Sequence, residues 1–93
     1  MPKYYAFMIA GYYLYFTSHC VVEAMHVHAS NRGLQERGSA KFYVRKDGSS
    51  RVERRGMLTD REVSRIQDFI QDNYEEMYLT WRKYSSQSYF EGE

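Results

Sequence analysis

The stretch AKFYVRKDGSSRVERRGMLTDRE, residues 40–62, carries a sheet on one side of a seam and a helix on the other. In its first part Ala40, Phe42 and Val44 alternate with Lys41, Tyr43 and Arg45, the period of a strand with one apolar face. Asp47-Gly48 supplies a turn that needs positive φ. A return strand then runs from Ser50 to Arg55. Val52 is its only apolar residue, so the strand belongs at a sheet edge, where charge discourages pairing with other chains. Past Gly56 the pattern changes. Thr59 and Glu62 have the spacing of a capping box, and Val63, Ile66, Ile70, Met77 and Trp81 follow at helical intervals, with Phe69 and Tyr74 beside the same stripe. Arg82 and Lys83 fall where a helix dipole favours positive charge.

Upstream, YYAFMI (4–9) and YYLYF (12–16) are dense in aromatic and branched residues. They read as two strands joined at Ala10-Gly11, or as one long strand bent at the glycine. Tyr12, Leu14 and Phe16 share one face, with Tyr13 and Tyr15 on the other. Residues 17–23 form a connection. In AMHVHAS, Met25, Val27 and Ala29 take the core face, which sends His26 and His28 to the opposite one. NRGLQERGS (31–39) is a polar loop. The expected architecture is a single domain over 1–93 of class α+β. An antiparallel sheet of four to five strands (1–57) has one long C-terminal helix (58–84) packed on one face, and a frayed tail (85–93).

A chain of 93 residues can bury one modest core, and ten tyrosines let a thin core be covered by rings whose hydroxyls stay wet. Cys20 is the only cysteine, which excludes an internal disulfide and fits a reducing compartment, the cytoplasm. The apolar N-terminal run is too rich in tyrosine, and too interrupted by Pro2 and Gly11, for a signal peptide. No stretch is long enough to span a membrane, so no membrane partner is expected.

Net charge is +1, but it is unevenly spread. Residues 32–65 hold ten Lys/Arg against five Asp/Glu, and residues 66–93 two against six. Arg45, Lys46, Arg51, Arg54 and Arg55 on the hairpin, with Tyr43 among them, make a candidate nucleic-acid contact. A solvated, self-neutralising edge is the competing explanation.

The histidines carry the sharper chemistry. Two residues apart on a strand, their Cα atoms stand roughly 6.5–7 Å apart with parallel side chains, close enough to meet at one divalent metal such as zinc. His19 and Glu23 are the candidate further ligands, and an open position on the metal would activate water. Alternatively the imidazoles are polar decoration on a wet sheet face, bonded to tyrosine hydroxyls or water.

The order of these features resembles a bacterial family, domain of unknown function 4160. The matching pieces are GYYLYFTSH (11–19), Glu23 with HVHA (26–29), AKFYV (40–44) and the late Trp81. Ala24-Met25 stands where the family pattern has proline before the first histidine. The resemblance implies a small bacterial protein with a toxin–antitoxin-like gene context, and His26, His28 and Lys41 as its site.

Two functions follow from these readings. One is a small cytoplasmic interaction protein that binds a small protein partner or itself through its Tyr-rich sheet and charged hairpin. The other is a metal-dependent or His-mediated hydrolase of phosphodiesters, with His26 and His28 as ligands or acid–base groups. In that case Lys41 and the nearby arginines stabilise the anionic transition state.

Overall fold

The computed structural model describes residues 3–17, 24–31, 38–85 and 87–92. Four strands, β1 (Tyr13–Tyr15), β2 (His26–Ser30), β3 (Ala40–Val44) and β4 (Ser50–Arg54), form one antiparallel sheet in the order β1-β2-β3-β4. Among the described residues a single helix, α1 (Asp60–Arg82), follows. The chain is therefore α+β, as its periodicities require.

The N-terminal aromatic run resolves in favour of a turn. Ile9 and Tyr12 exchange backbone hydrogen bonds of 2.7 and 2.9 Å, and Ala10 and Gly11 between them have φ of 53° and 88°. Two successive positive φ values define a type I′ turn, whose twist suits a hairpin. Among the described residues this run pairs through isolated bridges, Lys3 to Tyr15 and Ile9 to Tyr12, and not through a regular ladder. Residues 4–9 are thus not the regular strand that their composition predicts. Tyr4 turns inward instead, and its hydroxyl donates to the carbonyl of His26 at 2.7 Å.

The Asp47-Gly48 turn forms as expected. Arg45 N–H donates to Ser49 O and Gly48 N–H to Arg45 O, while Asp47 Oδ1 accepts from the amide and hydroxyl of Ser49. Gly48, at φ 88°, also lies against α1: a Cβ there would come within 2.5 Å of Gln71 and of the Tyr74 ring. Gln71 Nε2 donates to Asp47 O, and Gln67 Nε2 to Ser50 O. Helix and hairpin are thereby fastened together by side-chain amides that cap exposed carbonyls.

Thr59 caps α1, with its hydroxyl accepting from Glu62 N–H and the Glu62 carboxylate accepting from Thr59 N–H. Glu62 also accepts from the Tyr12 hydroxyl at 3.1 Å. Burial of Tyr12, joined by this bond to a carboxylate, raises the phenol pKa. The buried helix residues are Val63, Ile66, Ile70, Met77 and Trp81, the stripe the spacing predicts. They meet Leu14, Phe16, Val27, Ala29, Phe42 and Val44 in one core. Among the described residues no helix is long and apolar enough to cross a membrane.

The tail does not trail away from the fold. Residues 87–92 return along the end of the sheet, where Met25 N–H donates to Tyr89 O at 2.8 Å and Glu91 N–H to Val44 O at 2.9 Å. Its sequence has no hydrophobic period, and the partners that hold it lie far away in the chain.

Candidate functional site

β2 carries both histidines, and pairing places a row of four side chains across the sheet. Tyr15 stands opposite His28, His28 opposite Lys41, and Lys41 opposite Arg54. A second row runs from His26 to Tyr43 to Arg51. On β2 and β3 alternation turns both rows away from Val27 and Ala29, and a register shift between Lys41 and Phe42 brings Arg54 and Arg51, three residues apart, opposite them.

Over β2 that face is not wet. His26 and His28 are both fully buried, which corrects the reading of the imidazoles as polar decoration on a wet sheet face. The Tyr15 ring stacks on His28 with centroids 5.5 Å apart. The two imidazoles meet edge to face at 5.1 Å. Trp81 lies 5.3 Å from His26 and 5.2 Å from Phe16, so one indole at the end of α1 packs on a core ring and on an imidazole. Tyr43 adds an edge contact to His26 at 5.5 Å. Alternation reveals which face a side chain takes; it carries no information about what will lie over that face.

Each imidazole has a defined partner. His26 Nδ1 lies 2.9 Å from Ala24 O. A carbonyl can only accept, so Nδ1 carries the proton there. His28 Nδ1 lies 3.0 Å from Ser39 Oγ. Ser39 is itself gripped by Arg54, whose Nε donates to Ser39 O at 2.7 Å and whose Nη2 reaches Oγ at 3.4 Å. Burial pushes the His28 pKa down to about 3, helped by the charges of His26, Lys41 and Arg54. At neutral pH His28 is an uncharged polar group in the protein interior.

Lys41, the third residue of the expected catalytic set, is half-buried beside His28. Its ammonium lies 4.9 Å from the centre of the Tyr43 ring, and the Arg51 guanidinium lies at the same distance from that ring. The structure therefore gathers His26, His28 and Lys41, and adds Tyr15 and Ser39, which the sequence reading did not single out, together with Arg54, which that reading assigned to the nucleic-acid contact. Ser39 sits in a stretch that reads as loop, and only the pairing of His28 with Lys41 brings it to the imidazole. His19 and Glu23, the further metal ligands expected, lie outside the described residues. Among the described residues no group of three or more His, Cys, Asp or Glu side chains is placed to hold a metal ion.

The basic hairpin is largely neutralised. Arg51 forms a fork on Glu91, Nε to Oε1 at 2.9 Å and Nη2 to Oε2 at 3.0 Å, and also bonds Glu53 at 3.2 Å. These carboxylates raise its pKa further. Arg45 lies 3.8 Å from Glu91, and Arg55 pairs with Asp60. Lys46 is exposed at the turn. Three of the five proposed contact residues, Arg45, Arg51 and Arg55, thus face carboxylates, a pairing that a count of charges along the chain does not reveal.

No curated protein and no solved structure matches this chain. A family model, the domain of unknown function DUF4160, matches residues 11–82. That span runs from the Gly11 turn through the histidine strand and the hairpin to the end of α1, and the chain belongs to the DUF4160 family.

Proposed function

We propose that the chain is a binding module whose task is contact with another protein, in its specific form one member of a toxin–antitoxin-like pair acting in the cytoplasm. The observation that carries this reading is the burial of the histidines. Both rings are wholly enclosed and bonded within the chain, so the chain does not present them to a substrate. Apolar side chains are presented instead: Leu79 is 58% exposed and Phe7 55%, with Met8 and Tyr84 also open. Large apolar groups left in water mark contact surfaces more often than they mark chemistry. The toxin–antitoxin form rests on the family resemblance, and the lone Cys20 supports the compartment.

The test is affinity purification of the tagged chain from its native host, wild type beside Leu79→Glu and Phe7→Glu. A stoichiometric partner held by wild type and lost by either variant is the expected result. Absence of any stoichiometric partner overturns the reading.

A second reading, His-mediated hydrolysis of a phosphodiester, is favoured by one feature, the approach of Lys41 and Arg54 to His28. Zinc content and nuclease activity of wild type against His26→Ala/His28→Ala decide it. Loss of both metal and cleavage in the double variant would move the function to the imidazoles.

A further inference from the structure

Three residues of the C-terminal segment are held in three different ways. Tyr89 and Glu91 use their backbones, Tyr89 O accepting from Met25 N–H and Glu91 N–H donating to Val44 O, beside a parallel bridge between Arg45 and Glu91. Phe90, between them, stacks on Tyr78 with ring centroids 4.0 Å apart and planes inclined by 19°, and lies 6.1 Å from Tyr74. Glu91 receives the guanidinium fork of Arg51. Strand addition, an aromatic seat and an arginine fork are the means by which folded domains bind extended peptides.

The segment is also poorly integrated into the fold. Among the described residues every buried core residue lies between Tyr4 and Trp81, and Phe90 is only half-buried against them. The family-model match ends at residue 82. Open space flanks the segment on both sides. A cleft of 340 Å³ is lined by Tyr74, Tyr78, Leu79 and Phe90 with Lys46 and Glu75. A larger one, of 620 Å³, is lined by Arg45, Lys46, Asp47, Glu91 and Gly92. Phe90 and Glu91 form the partition between them, with Lys46 common to both.

We infer that residues 89–91 occupy, as an intramolecular ligand, a groove that takes an extended segment of a partner protein in which an aromatic residue is followed by a carboxylate. The groove consists of Met25 N–H, Val44 O, Tyr74, Tyr78, Arg45 and Arg51. This inference rests on the binding-module reading and gives it a site and a partner chemistry. Charge complementarity fixes the occupant: two arginines at one end select an acidic side chain, and the Tyr74–Tyr78 seat next to them selects a ring. Because the resident segment is tethered, it competes at an effective concentration near the millimolar range. A partner must displace it, so the full chain binds weakly until the segment is loosened.

The probe is a fluorescein-labelled peptide of residues 88–93, SYFEGE, titrated by fluorescence polarisation against the full chain. The expected result is that Phe90→Ala/Glu91→Gln binds the peptide at least about tenfold more tightly than wild type. Adding Arg51→Ala, or replacing the peptide's phenylalanine by alanine, removes that gain. Glu91→Gln alone, which leaves Phe90 on Tyr78, gives a smaller gain and serves if the double variant loses its wild-type circular dichroism. Binding no tighter than wild type in a folded variant overturns the proposal. So does binding that survives Arg51→Ala, or a wild-type dimer formed by exchange of the segment. If the peptide fails while a stoichiometric partner still co-purifies, the groove is wrong and the binding-module reading stands.

Discussion

Two polar clusters of the molecule differ in chemistry and in their exposure to water. On β2 the imidazoles are sealed beneath Tyr15, Tyr43 and Trp81, each bonded to one fixed acceptor or hydroxyl. On the β3–β4 hairpin the guanidiniums stand in solvent and find their carboxylates there. A buried polar group costs free energy unless every bond is made, whereas an exposed ion pair contributes little because water competes for both ions. The first cluster is held by burial and by its two Nδ1 bonds, and the second by ion pairs that water can replace.

The largest expected effect comes from breaking the buried cluster. His28→Ala removes a filled volume and leaves Ser39 Oγ without its imidazole. It should lower the unfolding free energy by about 2–4 kcal/mol, read from urea denaturation. A loss within error would mean that water replaces the ring and the face is open after all.

Gly48→Ala tests whether the hairpin is held by its geometry or by its charges. A Cβ at φ 88° meets Gln71 and Tyr74, so the substitution should cost about 1–3 kcal/mol although no charge changes. An unchanged urea midpoint would place the hold in the ion pairs.

Acid separates the clusters without mutation. The His28 pKa is about 3 in the folded chain, against 6.5 ordinarily. Between these values the unfolded chain binds a proton that the folded chain does not. Stability should thus fall as pH drops below 6.5, by at most about 1.4 kcal/mol per unit for this one group. The window from 6.5 to 5 lies above the lowered pKa values of Glu62 and Asp47, and comparison with His28→Gln gives the share of this one group. The contribution of those two carboxylates is lost only in stronger acid. A flat profile in that window, or one unchanged in His28→Gln, would contradict the burial.

The smallest effect belongs to the exposed cluster. Arg51→Ala should leave the urea midpoint at wild type in moderate salt, since the fork to Glu91 lies in solvent. A large shift would make the C-terminal segment a structural element and weaken the case for its exchange.

Legibility in the sequence follows the range of the forces involved. The Asp47-Gly48 turn, the Thr59–Glu62 cap and the Val63–Trp81 stripe are set by neighbours within four residues, and a linear reading finds each of them. The run YYAFMI misleads because aromatic composition imitates a strand, while Tyr4 leaves the sheet surface for a bond to His26 O. The burial of the histidines, the Ser39–Arg54 grip and the docking of Phe90 depend on residues between 11 and 64 positions away. The same distance governs the charges: Arg51 and Glu91, 40 residues apart, are counted in opposite blocks before they meet.

The sheet order β1-β2-β3-β4 has a kinetic consequence. Each strand pairs with its predecessor in the chain, so the sheet closes through successive short loops and forms without threading. Pairing of successive strands keeps each step of sheet formation local, although a mixed helix-and-sheet chain folds more slowly than a helical bundle. The bond between Met25 and Tyr89 spans most of the length of the molecule, so its closure entropy is repaid only after the sheet and helix are in place. On these grounds the C-terminal segment is expected to dock after the sheet and helix have formed and to open before them.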